Sequence, residues 1–223
     1  MFFTKEITKI RKLSCNAADG VTKSVRTAIF GGSFNPVHNG HVNLVKEIIK
    51  TISLDRVIIM PANTSPFKTD IANDTADGSD RINMCRLAFE QLDGVSVSNY
   101  EVTCTDVSYT VNTLKHFKAL YPDDKLYFIV GSDMLESLHL WYRFDEIMSL
   151  CTIIAASRVY GDFEELEKTA DELRQFGEVI LIQIEPYEMS STLIREKILN
   201  NEEISCYMPS SVVKYIENNK LYK

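Results

Sequence analysis

Gly31-Gly32-Ser33-Phe34-Asn35-Pro36-Val37-His38-Asn39-Gly40-His41 stands between an apolar, β-branched run at 26–31 and an amphipathic pattern at 40–52. A strand that runs into a glycine-rich turn and then into a helix is the opening unit of a parallel sheet wrapped by helices. The alternation continues down the chain. Runs at 55–60, 94–98, 125–131, 151–156 and 179–184 read as strands, while 79–92, 109–120, 162–176 and 191–199 carry apolar residues at three- and four-residue spacings, as helices packing one face on a sheet require. From Pro209 a further helix is expected, with Val212, Val213, Ile216 and Leu221 as its buried stripe. These patterns predict a doubly wound α/β domain, in which ligands bind at the carboxyl ends of the strands. The stretch 61–78 is rich in turn formers and acids and reads as a long mobile loop.

The chain has 223 residues, 45% of them hydrophobic and 25% charged, enough for one sizeable core. Its formal charge of -7 argues against nonspecific nucleic-acid binding and leaves room for a local basic pocket that takes a small anion. Residues 1–26 hold six basic and two acidic side chains, net +4, against 18 basic and 29 acidic, net -11, in the rest. A basic N-terminal extension over 1–25 is therefore set apart from a domain at 26–223, as a solvated helix or as an arm for a partner. The five cysteines, Cys15, Cys85, Cys104, Cys151 and Cys206, are odd in number and form no CxxC pair. Neither a disulfide framework nor a zinc site is expected, and no metal ligand set is assigned. No apolar run reaches the length of a membrane span and none near the start has the form of a secretory signal, so a cytoplasmic home without membrane contact is expected.

Two motifs carry chemistry. In the first, the glycines let backbone amides approach an anion, and the helix that follows adds the positive end of its dipole. His38 and His41 are three apart and can project to one point, where they suit a phosphate chain that gains charge during reaction. The same residues read without their context as a sharp turn with polar caps, or as half of a metal site without a third ligand. The pattern is neither GxxxxGK[ST] nor GxGxxG. The second motif, Ser190-Ser191-Thr192-Leu193-Ile194-Arg195, follows the last expected strand and opens a helix. A serine there can cap the helix, while free amides and Arg195, one turn on, converge on a second anion position. Two anion sites at strand ends can hold a triphosphate from both sides.

His38-Asn39-Gly40-His41 followed late by Ser190-Ser191-Thr192 and Ile194-Arg195 resembles the HxGH nucleotidyltransferase superfamily, and more narrowly the bacterial nicotinate-nucleotide adenylyltransferases. Further matches run in the family's order: Ser65-Pro66-Phe67-Lys68, Ser108-Tyr109-Thr110-Val111-Asn112-Thr113-Leu114, Gly131-Ser132-Asp133-Met134 through Trp141-Tyr142-Arg143-Phe144, and the tail from Tyr207 to Tyr222. The resemblance covers about 26–223. It implies a Rossmann-like sheet and adenylyl transfer from ATP, accompanied by Mg²⁺, to nicotinate mononucleotide. ATP would be held by Gly31, Gly32, Ser33, Phe34, His38, His41, Gly131, Asp133, Ser190, Ser191 and Arg195. The mononucleotide would be held by Asn35, Lys68, Thr110, Asp133, Trp141 and Tyr142, with Trp141 against the pyridine ring and the amides of Thr110 and Tyr142 on the carboxylate. His38, His41, Arg195 and Lys68 would be the catalytic set.

The chain departs from the family's pattern at three places: Asn35 replaces an aspartate, Phe67 a histidine, and Leu193 a frequent glutamate. Other acceptors, nicotinamide mononucleotide or phosphopantetheine, stay open within the same chemistry. So does a non-catalytic nucleotide sensor from a different class, and so does assembly into a homo-oligomer. No GxSxG elbow or Cys/His signature points to a covalent nucleophile.

Overall fold

A computed structural model describes residues 24–63, 76–104, 107–157, 163–185 and 189–223. In chain order the elements are β1 (Arg26–Gly32), α1 (Asn39–Ile52), β2 (Arg56–Pro61), α2 (Gly78–Phe89), β3 (Val95–Val97), α3 (Tyr100–Thr103), α4 (Thr110–Leu120), β4 (Lys125–Gly131) and α5 (Ser132–Ser137). A 3-10 turn (Leu138–Leu140) follows, then α6 (Phe144–Leu150), β5 (Thr152–Ser157), α7 (Phe163–Leu173), β6 (Val179–Gln183), α8 (Ser191–Leu199) and α9 (Ser210–Asn219).

The six strands form one parallel sheet in the order β3-β2-β1-β4-β5-β6. The chain thus winds outward from β1 to one edge and then from β4 to the other, with a switch point between β1 and β4. Period-two alternation divides the strand residues between two cores. Ala28 and Phe30 face one side with Val45 and Ile48 of α1, Met84 of α2 and Ile194 of α8. Ile29 faces the other with Leu114 of α4, Leu135 of α5 and Ile147 of α6. Each wholly buried aliphatic of this kind contributes about 1.5–3 kcal/mol. Coverage on both faces explains why the strands read as near-continuous apolar runs. At the amino ends of the strands, buried Asp124 accepts a hydrogen bond from the Thr27 hydroxyl and an ion-paired one from Arg56 at 3.2 Å, which ties β1, β2 and the turn before β4 together.

The expected doubly wound sheet is therefore present, with all six strands within two residues of their expected limits. Three differences have local causes. The helix expected over 79–92 stops at Phe89, because the chain turns through Gly94, at φ +76°, to enter β3. The helix expected over 162–176 ends at Leu173, where Gly177 packs against the Met148 carbonyl on a path too close for any Cβ. Leu221 lies beyond α9, which closes at a left-handed Lys220; Val212 and Ile216 are buried, Val213 and Leu221 pack partly buried against the same core, and Tyr222 joins it. The segment 132–150, read only as a motif, folds into α5, the 3-10 turn and α6. Of the loop expected over 61–78, positions 64–75 lie outside the described residues, as does the extension up to 23. Among the described residues no helix is long and apolar enough to cross a membrane.

Candidate active site

The carboxyl end of β1 carries the first motif, and its backbone path is fixed by close packing. Phe34 adopts a left-handed φ of 46°, rare for a bulky residue, and buries its ring edge-on to Phe30 at 5.3 Å and to His41 at 5.0 Å. A Cβ at Gly32 would stand 3.1 Å from that ring, so glycine is what lets the turn fold down over Phe34. His38 caps α1 with extended backbone, and its amide donates to Nδ1 of His41 at 3.2 Å. An Nδ1 that accepts a backbone N–H cannot carry a proton, so neutral His41 holds its proton on Nε2, as a donor. The two imidazoles stack with centroids 3.7 Å apart. His38 is only 3% exposed, and its ring lies across Gly40, where a Cβ would approach to 3.0 Å. The tetrapeptide thus needs its glycine so that the first imidazole can lie over the helix start.

The second motif, some 155 residues later, is bonded to the first. Ser190 caps α8 by accepting from the Leu193 amide at 3.1 Å, and the Ser191 hydroxyl donates to the Pro36 carbonyl at 2.9 Å. Arg195 donates through Nη1 to the Asn35 carbonyl at 2.8 Å and through Nη2 to Thr192 at 3.4 Å, which leaves further guanidinium N–H groups for an anion. The amino ends of α1 and α8 are thereby held at one place, next to the switch point.

Beside them a cavity of about 570 Å³ opens between the ends of β1 and β4. Gly31, Gly32, Ser33, Gly131, Thr110, Trp141 and Tyr142, all expected at the site, line it, together with apolar Phe30, Phe128, Val130, Met134 and Leu140. Trp141 meets Phe128 edge-on at 6.1 Å, and Phe128 in turn contacts the space above Gly31, so glycine, phenylalanine and tryptophan form one continuous wall. Tyr142 is 52% exposed at the rim, tilted against Tyr109 at 4.7 Å. Thr110 is the first residue of α4, whose positive end faces the cavity. Asp133 is exposed on the first turn of α5, at the end of β4. Asn35 is placed differently from these: its Oδ1 accepts from the Ala76 amide at 3.0 Å and the Tyr222 hydroxyl at 2.8 Å, so its side chain fastens the end of the chain beneath the turn. Lys68, with Ser65 to Phe67, lies outside the described residues.

Glu101 and Arg81 were not singled out from the sequence. Glu101, 8% exposed on the short α3, lines the cavity and accepts from the hydroxyl of Thr113, and the Ser108 hydroxyl also bonds it. Burial raises its carboxyl above the ordinary value, against the lowering effect of both hydroxyls. Arg81 lies behind the first motif and bonds its backbone at Ser33. Its signal was present: Arg81, Met84, Cys85 and Ala88 follow helical spacing, which puts a charged residue on an otherwise apolar stripe. Among the described residues no cluster of three or more His, Cys, Asp or Glu could hold a metal ion.

The sequence pattern of the cytidylyltransferase-like family matches residues 29–197. A relative from Clostridium botulinum (strain Loch Maree / Type A3), named probable nicotinate-nucleotide adenylyltransferase, is 38% identical over 202 residues, covering 89% of this chain and 100% of its own length. Among solved structures, the nicotinic acid mononucleotide adenylyltransferase of Plasmodium falciparum complexed with NaAD superposes with a TM-score of 0.72 at 21% identity. The same protein complexed with APC gives 0.69 at 21%. In both cases the match covers 89% of this chain and 97% of the other, and at that identity it speaks for the fold alone. With two helix amino ends joined at the switch point of a 3-2-1-4-5-6 sheet, and with relatives of this identity over nearly the whole chain, the protein belongs to the cytidylyltransferase-like family, in its group of nicotinate-nucleotide adenylyltransferases.

Proposed function

We infer that the chain transfers the adenylyl group of ATP to nicotinate mononucleotide, releasing pyrophosphate and nicotinate adenine dinucleotide, a step in making NAD. The observation that carries this reading is the bonding of the Ser191–Arg195 motif to Asn35 and Pro36 of the first motif, directly beside an apolar cavity walled by Trp141. Relatives 37–38% identical over 89% of the chain, named for this activity, support it.

The 5′-phosphate of the mononucleotide attacks the α-phosphorus of ATP in line. A new P–O bond forms as the bond from that phosphorus to the bridging oxygen of pyrophosphate breaks. A phosphate monoester is already a nucleophile near neutral pH, so the reaction asks for alignment of two polyanions and neutralisation of the departing pyrophosphate. The glycine turn at Gly31 and Gly32 lets backbone approach the phosphates; Ser33 and Phe34 shape it. His41 donates from Nε2, His38 and Arg195 add positive or donor character, and the capped start of α8 at Ser190 and Ser191 supplies amides. Lys68 would approach the same phosphates. Asp133, at the end of β4, accepts ribose hydroxyls. Trp141 stacks on the pyridine, whose carboxylate lies toward the amides of Thr110 and Tyr142 at the positive end of α4. Imidazole, hydroxyl and guanidinium groups suit phosphate oxygens rather than a bare cation; Mg²⁺ enters with ATP as part of the substrate. The reaction is assigned to the cytoplasm.

The test is pyrophosphate release from Mg-ATP with nicotinate mononucleotide, nicotinamide mononucleotide and phosphopantetheine in parallel. Preference for the nicotinate form is expected. No release with any acceptor from folded protein that binds ATP would overturn the assignment in favour of a sensor.

A further inference from the structure

Arg81, on α2, is 4% exposed, and among the described residues its guanidinium is bonded only to main chain. Nε donates to the Ala76 carbonyl at 3.2 Å, and Nη1 donates to the carbonyls of Ser33 at 2.9 Å and Ala62 at 2.7 Å. Those three acceptors come from the turn after β1, the end of β2 and the entry to α2. Among the described residues no carboxylate forms an ion pair with it. Asp77, the acid that acts on it from a distance, is engaged at Ser79. Buried arginines are ordinarily paired, because an unpartnered charge in a low-dielectric interior is costly. Carbonyl groups accept from three of its five N–H donors but bring no net charge.

We propose that Arg81 is a positioning and electrostatic residue of the phosphate turn: it fixes the Ser33 backbone and stands behind it as a cation that is ion-paired to no carboxylate among the described residues, so that the bound polyphosphate serves as its counter-charge. This rests on the reading that the Gly31–Ser33 turn holds the phosphates of ATP. The bond to Ser33 would place the guanidinium one peptide unit and one hydrogen bond from an anion on the other side of the turn, on the order of 8 Å from standard bond and hydrogen-bond lengths. At an effective dielectric near 20, that separation corresponds to a preference on the order of tenfold to a hundredfold for each unit of ligand charge.

The experiment is calorimetric titration of the full chain with inorganic pyrophosphate at fixed ionic strength, with a thermal melt of every variant. R81Q removes the charge, and R81K keeps it while losing the fan of donors. Cys85, a buried thiol that burial keeps neutral, lies one helical turn from Arg81, so C85D sets a carboxylate beside an intact guanidinium, and C85S is its control. Pyrophosphate should bind R81Q at least tenfold more weakly, R81K within about threefold of the parent, and C85D about tenfold more weakly than C85S. A purely structural arginine would make R81K as poor as R81Q, with C85D equal to C85S, and that pattern overturns the proposal. If R81Q does not fold, the Cys85 pair decides. A folded parent that binds no pyrophosphate overturns the phosphate assignment itself, and the role of Arg81 with it.

Discussion

A methyl group added at Gly40 would sit 3.0 Å from Nδ1 and 3.1 Å from Cε1 of His38, where ordinary contact begins near 3.4 Å. The imidazole therefore has to yield by a few tenths of an ångström. It has little room to do so, because it is almost wholly buried and stacked on His41. The displacement passes to the pair of rings assigned to the phosphates. A misplacement of about 1 Å typically costs about a hundredfold in rate, so Gly40→Ala should lower kcat by roughly tenfold. Its effect on stability runs the other way. Gly40 is helical, in the first turn of α1, where alanine is favoured by about 0.5–1 kcal/mol, and this gain offsets the crowding. Thermal melts should move by no more than about 3 °C. Gly177→Ala is the contrast: its methyl would stand 2.6 Å from the Met148 carbonyl oxygen, at the end of the sheet away from the site. It should lower Tm and leave kcat per folded molecule unchanged. Pyrophosphate release under saturating substrates, read beside the melts, tests both. Parent-like turnover in Gly40→Ala, or a loss that merely follows its melted fraction, would refute the role given to His38.

Three further outcomes are expected. His41→Asn keeps a side-chain acceptor for the His38 amide and loses the Nε2 donor, so kcat should fall by about 10²–10³ with Tm nearly unchanged; a small kcat effect would remove His41 from the chemistry. Trp141→Ala should raise KM for the mononucleotide much more than KM for ATP, and a change confined to ATP would refute the stacking role. For Glu101, burial holds the folded pKa above the unfolded value, so its contribution to stability is fully present below the unfolded pKa, about 4.3, and is lost as pH rises through the folded one. Glu101→Gln cannot titrate yet keeps an oxygen for Thr113, so its Tm relative to the parent should rise between pH 4.5 and 7.5; an offset that is constant with pH would contradict this assignment.

The sequence determined the sheet and the order of its strands' partners in helix, because hydrophobic periodicity is a local signal and both faces of each strand are buried. It also marked the first motif, since glycines between a strand and a helix have few other uses. What it could not display is contact between distant segments. The expected anion role of Ser191 and Arg195 was legible from a helix start, but their bonds to Pro36 and Asn35, across some 155 residues, exist only once β1 and β6 share a sheet. Asn35 reads as a substrate-facing residue in a one-dimensional motif. Folding brings Tyr222 and Ala76 to its Oδ1, and hydrogen bonding to them makes it the anchor of the chain's end. Arg81 and Glu101 were passed over for a related reason. A charge on an apolar stripe or a short turn has no evident partner in the sequence, and its meaning comes from the carbonyls and hydroxyls that packing gathers around it. Local patterns thus placed the elements and the two motifs; tertiary structure decided which polar groups are spent on holding the site and which are left to face a ligand, because burial forces every such group to find a partner that only folding supplies.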